Sequence, residues 1–116
     1  MTTFAVTLHL TVEGPDGRRR DHFERVTDAY AALEAADARL LDCSWGYADR
    51  RGYGEIDLDL TVVAEDKAGA FEVASAAAWS AIHAAGGVTA GSAERSQGSA
   101  DVAYRMTDEA VALVVA

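Results

Sequence analysis

The chain has 116 residues, with 10 Lys and Arg against 19 Asp and Glu, half of its residues hydrophobic and a single Cys. These figures describe one acidic domain, residues 1–116, whose core can bury roughly two-thirds of the unfolded surface without a disulfide or metal staple. They leave no room within these residues for a second full domain, and Cys43 has no second cysteine to bridge to.

Charge is unevenly placed: residues 1–53 carry 7 basic and 9 acidic side chains and the remainder 3 and 10, so the net charge of -9 resides mainly in the second half. A field of that sign repels phosphate backbones and anionic lipid, so nucleic acid and membranes are not expected as partners, whereas a basic protein is. The start, Met1-Thr2-Thr3-Phe4, lacks the basic and apolar runs of a signal peptide. With one Cys and no stretch near the ~20 apolar residues of a membrane span, a cytoplasmic setting is expected.

From Phe4 to Val12 the sequence alternates, with Phe4, Val6, Leu8, Leu10 and Val12 on one side and Ala5, Thr7, His9 and Thr11 on the other, the pattern of a strand with one buried face. Gly14-Pro15-Asp16-Gly17 then reads as a turn. Residues 18–25, opening with Arg18-Arg19-Arg20, are too polar for core and fit either a hairpin's edge strand or a solvated loop. Thr27 or Asp28 can cap a helix running to about Asp42, with Val26, Tyr30, Leu33, Leu40 and Leu41 at roughly helical spacing.

The aromatic run Ser44-Trp45-Gly46-Tyr47, followed by Asp49-Arg50-Arg51-Gly52, predicts a strand and a turn. Glu55 to Val63 has period two, with Ile56, Leu58, Leu60 and Val62 on a dry face and Glu55, Asp57, Asp59 and Thr61 on an acidic one. Asp66 can cap a second helix whose stripe is Phe71, Ala74, Ala78, Ile82 and Ala85, with Gly86-Gly87 as its stop. Residues 87–100, rich in Gly, Ser and Ala, predict a mobile connection within the domain. Val102, Tyr104 and Met106 then alternate as a strand, and the uncharged run Ala110 to Ala116 reads as a further strand-like segment.

The order β-α-β-β-α-β is that of the α+β ferredoxin-like split βαβ plait, here with an extra C-terminal strand-like segment. In that arrangement the strands at 4–12 and 55–63 are central neighbours, and two helices cover one face of an antiparallel sheet. The plait hosts unrelated functions, so it assigns none.

On the helix-free face, His9 would lie beside Glu55, Asp57 and Asp59. A carboxylate next to an imidazole orients it for acid-base work, which makes His9, Asp57 and Asp59 the catalytic candidates; against this stands the ordinary solvated face of an antiparallel sheet. Glu55, Asp57 and Asp59 are equally candidates for binding. So are Trp79 and His83, which share an edge of the second helix with Glu72, although such a Trp more often covers the rim of a core. Trp45, Tyr47 and Tyr53 surround Arg50 and Arg51, an arrangement that stacks on planar ligands but in so acidic a chain reads as cross-strand packing. The arginine run at 18–20 suits a phosphate or carboxylate, but a charge run alone has little specificity and a solvated turn flank is the default reading.

His9, His22 and His83 lack metal-ligand spacing, Gly52 and Gly54 lack the third glycine of a dinucleotide loop, and no nucleophile motif is present, so neither metal nor cofactor is expected. The leading expectation is a small non-catalytic interaction or regulatory module acting as a homodimer. The alternatives are a cofactor-independent enzyme of the dimeric α+β barrel kind and an acidic inhibitor or immunity-type protein. The C-terminal segment, if exposed, would aggregate; pairing with a second subunit is favoured over pairing within its own sheet.

Overall fold

The computed structural model describes residues 1–86, 88–89, 102–106 and 112–115. The fold is α+β, and the described residues form six strands and two helices: β1 (Thr2–Glu13), α1 (Asp16–Ala36), β2 (Leu40–Arg50), β3 (Tyr53–Ala64), α2 (Lys67–Ala84), β4 (Val88–Thr89), β5 (Ala103–Met106) and β6 (Ala112–Val115). The strands form one sheet in the order β2-β3-β1-β5-β4, with β6 also on β1. All pairings are antiparallel except that of β4 with β5.

Period-two alternation positions the two central strands. Phe4, Val6, Leu8, Leu10 and Val12 of β1 and Ile56, Leu58, Leu60 and Val62 of β3 are buried on a common face, with cross-strand register Leu8 to Leu58 and Leu10 to Ile56. Both helices pack on that face. On α2 the small residues Ala70, Ala74, Ala77, Ala78 and Ala81 are buried with Ile82, so the helix backbone approaches the sheet closely. Asp66 caps it by accepting from the Gly69 N–H at 2.7 Å, and Gly86, at φ 91°, supplies the left-handed residue that ends it.

The first helix departs from expectation. Residues 18–25 are neither edge strand nor loop but the opening turns of α1, which starts directly after Pro15 and stops at Ala36, six residues short of Asp42. Thr27 and Asp28 are therefore interior positions, and Leu40 and Leu41 belong to β2. The polar run hides its helical period because two core-facing positions carry Arg19 and His22, both buried, in series with Val26 and Tyr30.

The two buried polar residues of α1, Arg19 and His22, are both held by polar partners, whereas the buried Tyr30 hydroxyl has no hydrogen-bond partner among the described residues. Arg19 donates to the Gly14 carbonyl at 2.8 Å and lies 3.7 Å from the Asp49 carboxylate, fastening α1 to the preceding turn and to β2. His22 Nε2 lies 2.9 Å from the Ala85 carbonyl, which can only accept, so Nε2 carries the proton. Nδ1 then accepts from the Tyr104 hydroxyl at 2.8 Å. One neutral imidazole thus joins α1, the end of α2 and β5. Burial holds its pKa below the ordinary 6.5, and Arg25 pushes the same way against the opposing Ala85 bond.

The C-terminal segment also corrects an expectation. Residues 112–115 pair with Phe4 to Thr7 of the same chain rather than with another subunit. Strand β5 covers only Leu10 to Glu13 of β1, which leaves the rest of that edge open for β6. The expected connection at 87–100 lies outside the described residues except for Val88 and Thr89, which form β4.

Two predictions follow from this packing. A His pKa that is lower in the folded than in the unfolded chain means the unfolded state binds more protons, so stability is full above about pH 7 and declines as pH falls through 6.5. Denaturation midpoints recorded from pH 8 to pH 5 should show that decline, and His22→Gln should flatten it. A Cβ on Gly54 would stand 2.6 Å from the Tyr47 hydroxyl and 2.8 Å from a Val12 methyl. Gly54→Ala should therefore cost about 1–3 kcal/mol by urea denaturation, part of it recovered by adding Tyr47→Phe.

Candidate functional site: the open sheet face

With the even-numbered residues of β1 and β3 turned toward the helices, the odd-numbered ones share the opposite face. The register sets Thr7 opposite Asp59, His9 opposite Asp57 and Thr11 opposite Glu55. The grouping expected from alternation is therefore present. Each carboxylate has a different neighbour: Asp59 accepts from the Thr7 hydroxyl at 2.7 Å, Asp57 contacts His9 Nδ1, and Glu55 accepts from the Arg50 guanidinium at 3.0 Å.

Strand β2 continues the face with Ser44, Gly46 and Ala48 opposite Asp59, Asp57 and Glu55. Nothing large on that strand shields the carboxylates at the centre, and the Asp57 side chain is 63% exposed against 38% for His9. On the far side Arg105 of β5 lies opposite Thr11. Cationic residues thus gather toward the β2–β3 turn, while Asp57 and Asp59 form an anionic strip across the middle.

A carboxylate that accepts from Nδ1–H holds the imidazole in the tautomer whose Nε2 can take a proton, which is a general-base arrangement. Depressions bounded by described residues lie on α1 (Arg18, Asp21, Glu24 and Arg25), between α1 and β2 (Ala31, Glu34, Ala35, Leu40 and Leu41) and at the β3–α2 corner around Met1. None of these three touches His9, Asp57 or Asp59. Among the described residues no group of three or more His, Cys, Asp and Glu side chains is placed to hold a metal ion. No helix there is long and apolar enough to cross a membrane.

The other candidates are dispersed. Trp79 is half-buried against the core, as a rim-covering residue would be, while Glu72 and His83 are exposed. Trp45 and Tyr47 do not cluster with Tyr53: they face α1, where Trp45 meets Tyr30 edge-on at 5.6 Å and Tyr47 lies 5.0 Å from Phe23. Arg20 sits over the Tyr47 ring at 5.1 Å, whereas Tyr53 lies across the sheet on the exposed side. The surroundings of Cys43 disfavour its thiolate. Burial, and then the hydrogen bond it donates to Glu34 at 3.2 Å, push its thiol up to about 11.

Alternation places Tyr104 on one side of its strand, but the sequence pattern does not show that Arg19, His22 and Tyr104 are buried together. The first two stand at helical intervals from Val26 and Tyr30, a signal concealed because arginine and histidine are seldom fully buried.

No protein-family model matches the chain, and no curated protein matches it. Among solved structures it is similar to De novo designed protein Foldit4, with 12% identity over 90% of this chain and 96% of that chain and a TM-score of 0.45. So distant a likeness carries no argument about function.

Asp57 and Asp59 are solvent-facing, and such pairs contribute little in water. Asp57→Asn and Asp59→Asn, singly or together, should each change unfolding free energy by less than about 1 kcal/mol in urea titrations. A loss above about 3 kcal/mol would mean the carboxylates are buried and paired.

Proposed function

We propose that this chain is a ferredoxin-like plait acting in the cytoplasm as a small, non-catalytic interaction or regulatory module, that it works as a homodimer, and that its helix-free face receives a basic segment of another protein. The reading rests on Asp57 and Asp59, which stand uncovered on that face. Thr7 donates to Asp59, His9 contacts Asp57, and neither carboxylate is matched with a Lys or Arg side chain in the contacts of this face among the described residues. Flanking residues Ser44, Gly46 and Ala48 are small, so a lysine or arginine side chain laid across the strands meets no steric barrier. An acidic inhibitor covering a basic site on its target would use the same strip.

The contact between His9 and Asp57 favours a second reading, a cofactor-independent enzyme with His9 as base and Asp57 orienting it. That reading requires a roof over the face. A second copy placed face to face there would enclose the carboxylates of both copies between them, which costs heavily without matching cations.

Capture from extracts of the source organism separates the two readings. The interaction reading expects a basic partner retained by the native protein, weakened as salt rises and reduced at least about tenfold in affinity by Asp57→Arg with Asp59→Arg. Turnover in a substrate screen that disappears with His9→Ala would instead establish the enzyme.

A further inference from the structure

We propose that the homodimer forms through the outer edge of β2, which pairs antiparallel with β2 of a second copy about a two-fold axis at Gly46. The proposal rests on the homodimer reading above and adds the seam. Among the described residues β2 is the outermost strand of its side of the sheet. It is 11 residues long and contains neither Pro nor Lys, two devices that usually blunt an exposed edge.

The hairpin dictates which groups the edge offers. Only Arg51 and Gly52 separate β2 from β3, and Gly52 has φ 85°, as the third residue of a type II turn requires. The Arg50 carbonyl then points toward β3, and by alternation so do the backbone groups of Ala48, Gly46 and Ser44. Those of Cys43, Trp45, Tyr47 and Asp49 point outward. The Cys43 N–H agrees with this parity, since it donates to the side chain of its neighbour Asp42 at 2.9 Å rather than to the sheet.

A two-fold at Gly46 matches outward groups with outward groups: Trp45 faces the partner's Tyr47, and Cys43 faces the partner's Asp49. On the open face, Ser44 faces the partner's Ala48, and Gly46 faces the partner's Gly46, where the close approach of a non-hydrogen-bonded pair meets no side chain. Asp42 faces the partner's Arg50, so symmetry creates two ion pairs, one at each end of the seam. Arg50 already holds Glu55 at 3.0 Å, and a guanidinium has donors for both carboxylates. Moving the axis to residue 45 sets Asp42 against the partner's Ala48, and moving it to 47 sets Arg50 against the partner's Ser44, so the charges match only at Gly46.

Beside this edge lies unpartnered apolar surface. Leu41, displaced by a bulge between Leu40 and Asp42, is 49% exposed and borders the depression it shares with Ala31 and Ala35 of α1. Ala31 and Ala35 stand one turn apart and are small enough for the two α1 helices to approach across the axis. In a chain of net charge -9, a charge-matched seam is the place where two copies can meet.

Light scattering after size exclusion, at low micromolar concentration, tests this on the full chain. The native protein should be a dimer, and Asp42→Arg and Arg50→Asp should each weaken it at least about tenfold by setting like charges opposite one another. The double variant Asp42→Arg with Arg50→Asp should restore the dimer, with urea midpoints showing that all three remain folded. In a Cys43→Ser background, Gly46→Cys should oxidise to a covalent dimer while Ser80→Cys, on the exposed side of α2, should not. A monomeric native protein would overturn both the seam and the homodimer. A dimer indifferent to the reversals and uncrosslinked at position 46, or one dissociated by Val115→Asp in β6, would overturn the seam alone.

Discussion

Antiparallel pairing of β1 with β3 underlies the rest of this structure. The ladder runs unbroken from Thr2 opposite Ala64 to Glu13 opposite Tyr53, along the whole of both strands. Side chains alternate with period two, so burying Leu8 against Leu58 compels His9 to stand beside Asp57 and Thr7 beside Asp59 on the other face. A slip of β1 by one residue would send His9 into the core and five apolar residues of β1 into water. Hydrophobic burial thus sets the register, and the register assembles the polar strip as a consequence.

The molecule handles polar groups in two ways. On α1, Arg19 and His22 are taken out of water and matched with carbonyl, hydroxyl and carboxylate partners from four other parts of the chain. Leaving such groups unmatched in a low dielectric would cost far more than a surface charge, so they specify where α1, α2 and β5 meet. On the open face Glu55 pairs with Arg50, while Asp57 and Asp59 stay exposed to water beside His9 and Thr7. The first arrangement locates elements; the second leaves charge accessible to another molecule.

Strand edges connect fold to assembly. β1 is central because β3 takes one edge while β5 and β6 divide the other. The sheet's only long uncovered edge among the described residues is β2, and the residues matched in the proposed seam, Asp42, Gly46 and Arg50, lie on the same face as the acidic strip. A dimer joined there would carry both strips on one continuous surface.

Where one face of a segment is apolar at a clean period, the sequence by itself determined the element. Period two marked β1 and β3 and the residues each would bury, the small-residue stripe with Asp66 and Gly86 delimited α2, and the meeting of His9 with Asp57 followed once the two strands were neighbours. The opening of α1 was not legible, because its core-facing positions are filled by Arg19 and His22, whose burial is tolerable only with Gly14, Ala85, Tyr104 and Asp49 in place. Nor was the pairing of β6: an uncharged strand specifies that it needs an edge, but which edge depends on how much of β1 is left open by the short β5. Local pattern records the hydrophobic demand of a segment, while the partners that meet its polar and edge demands come from distant residues and exist only in the folded chain.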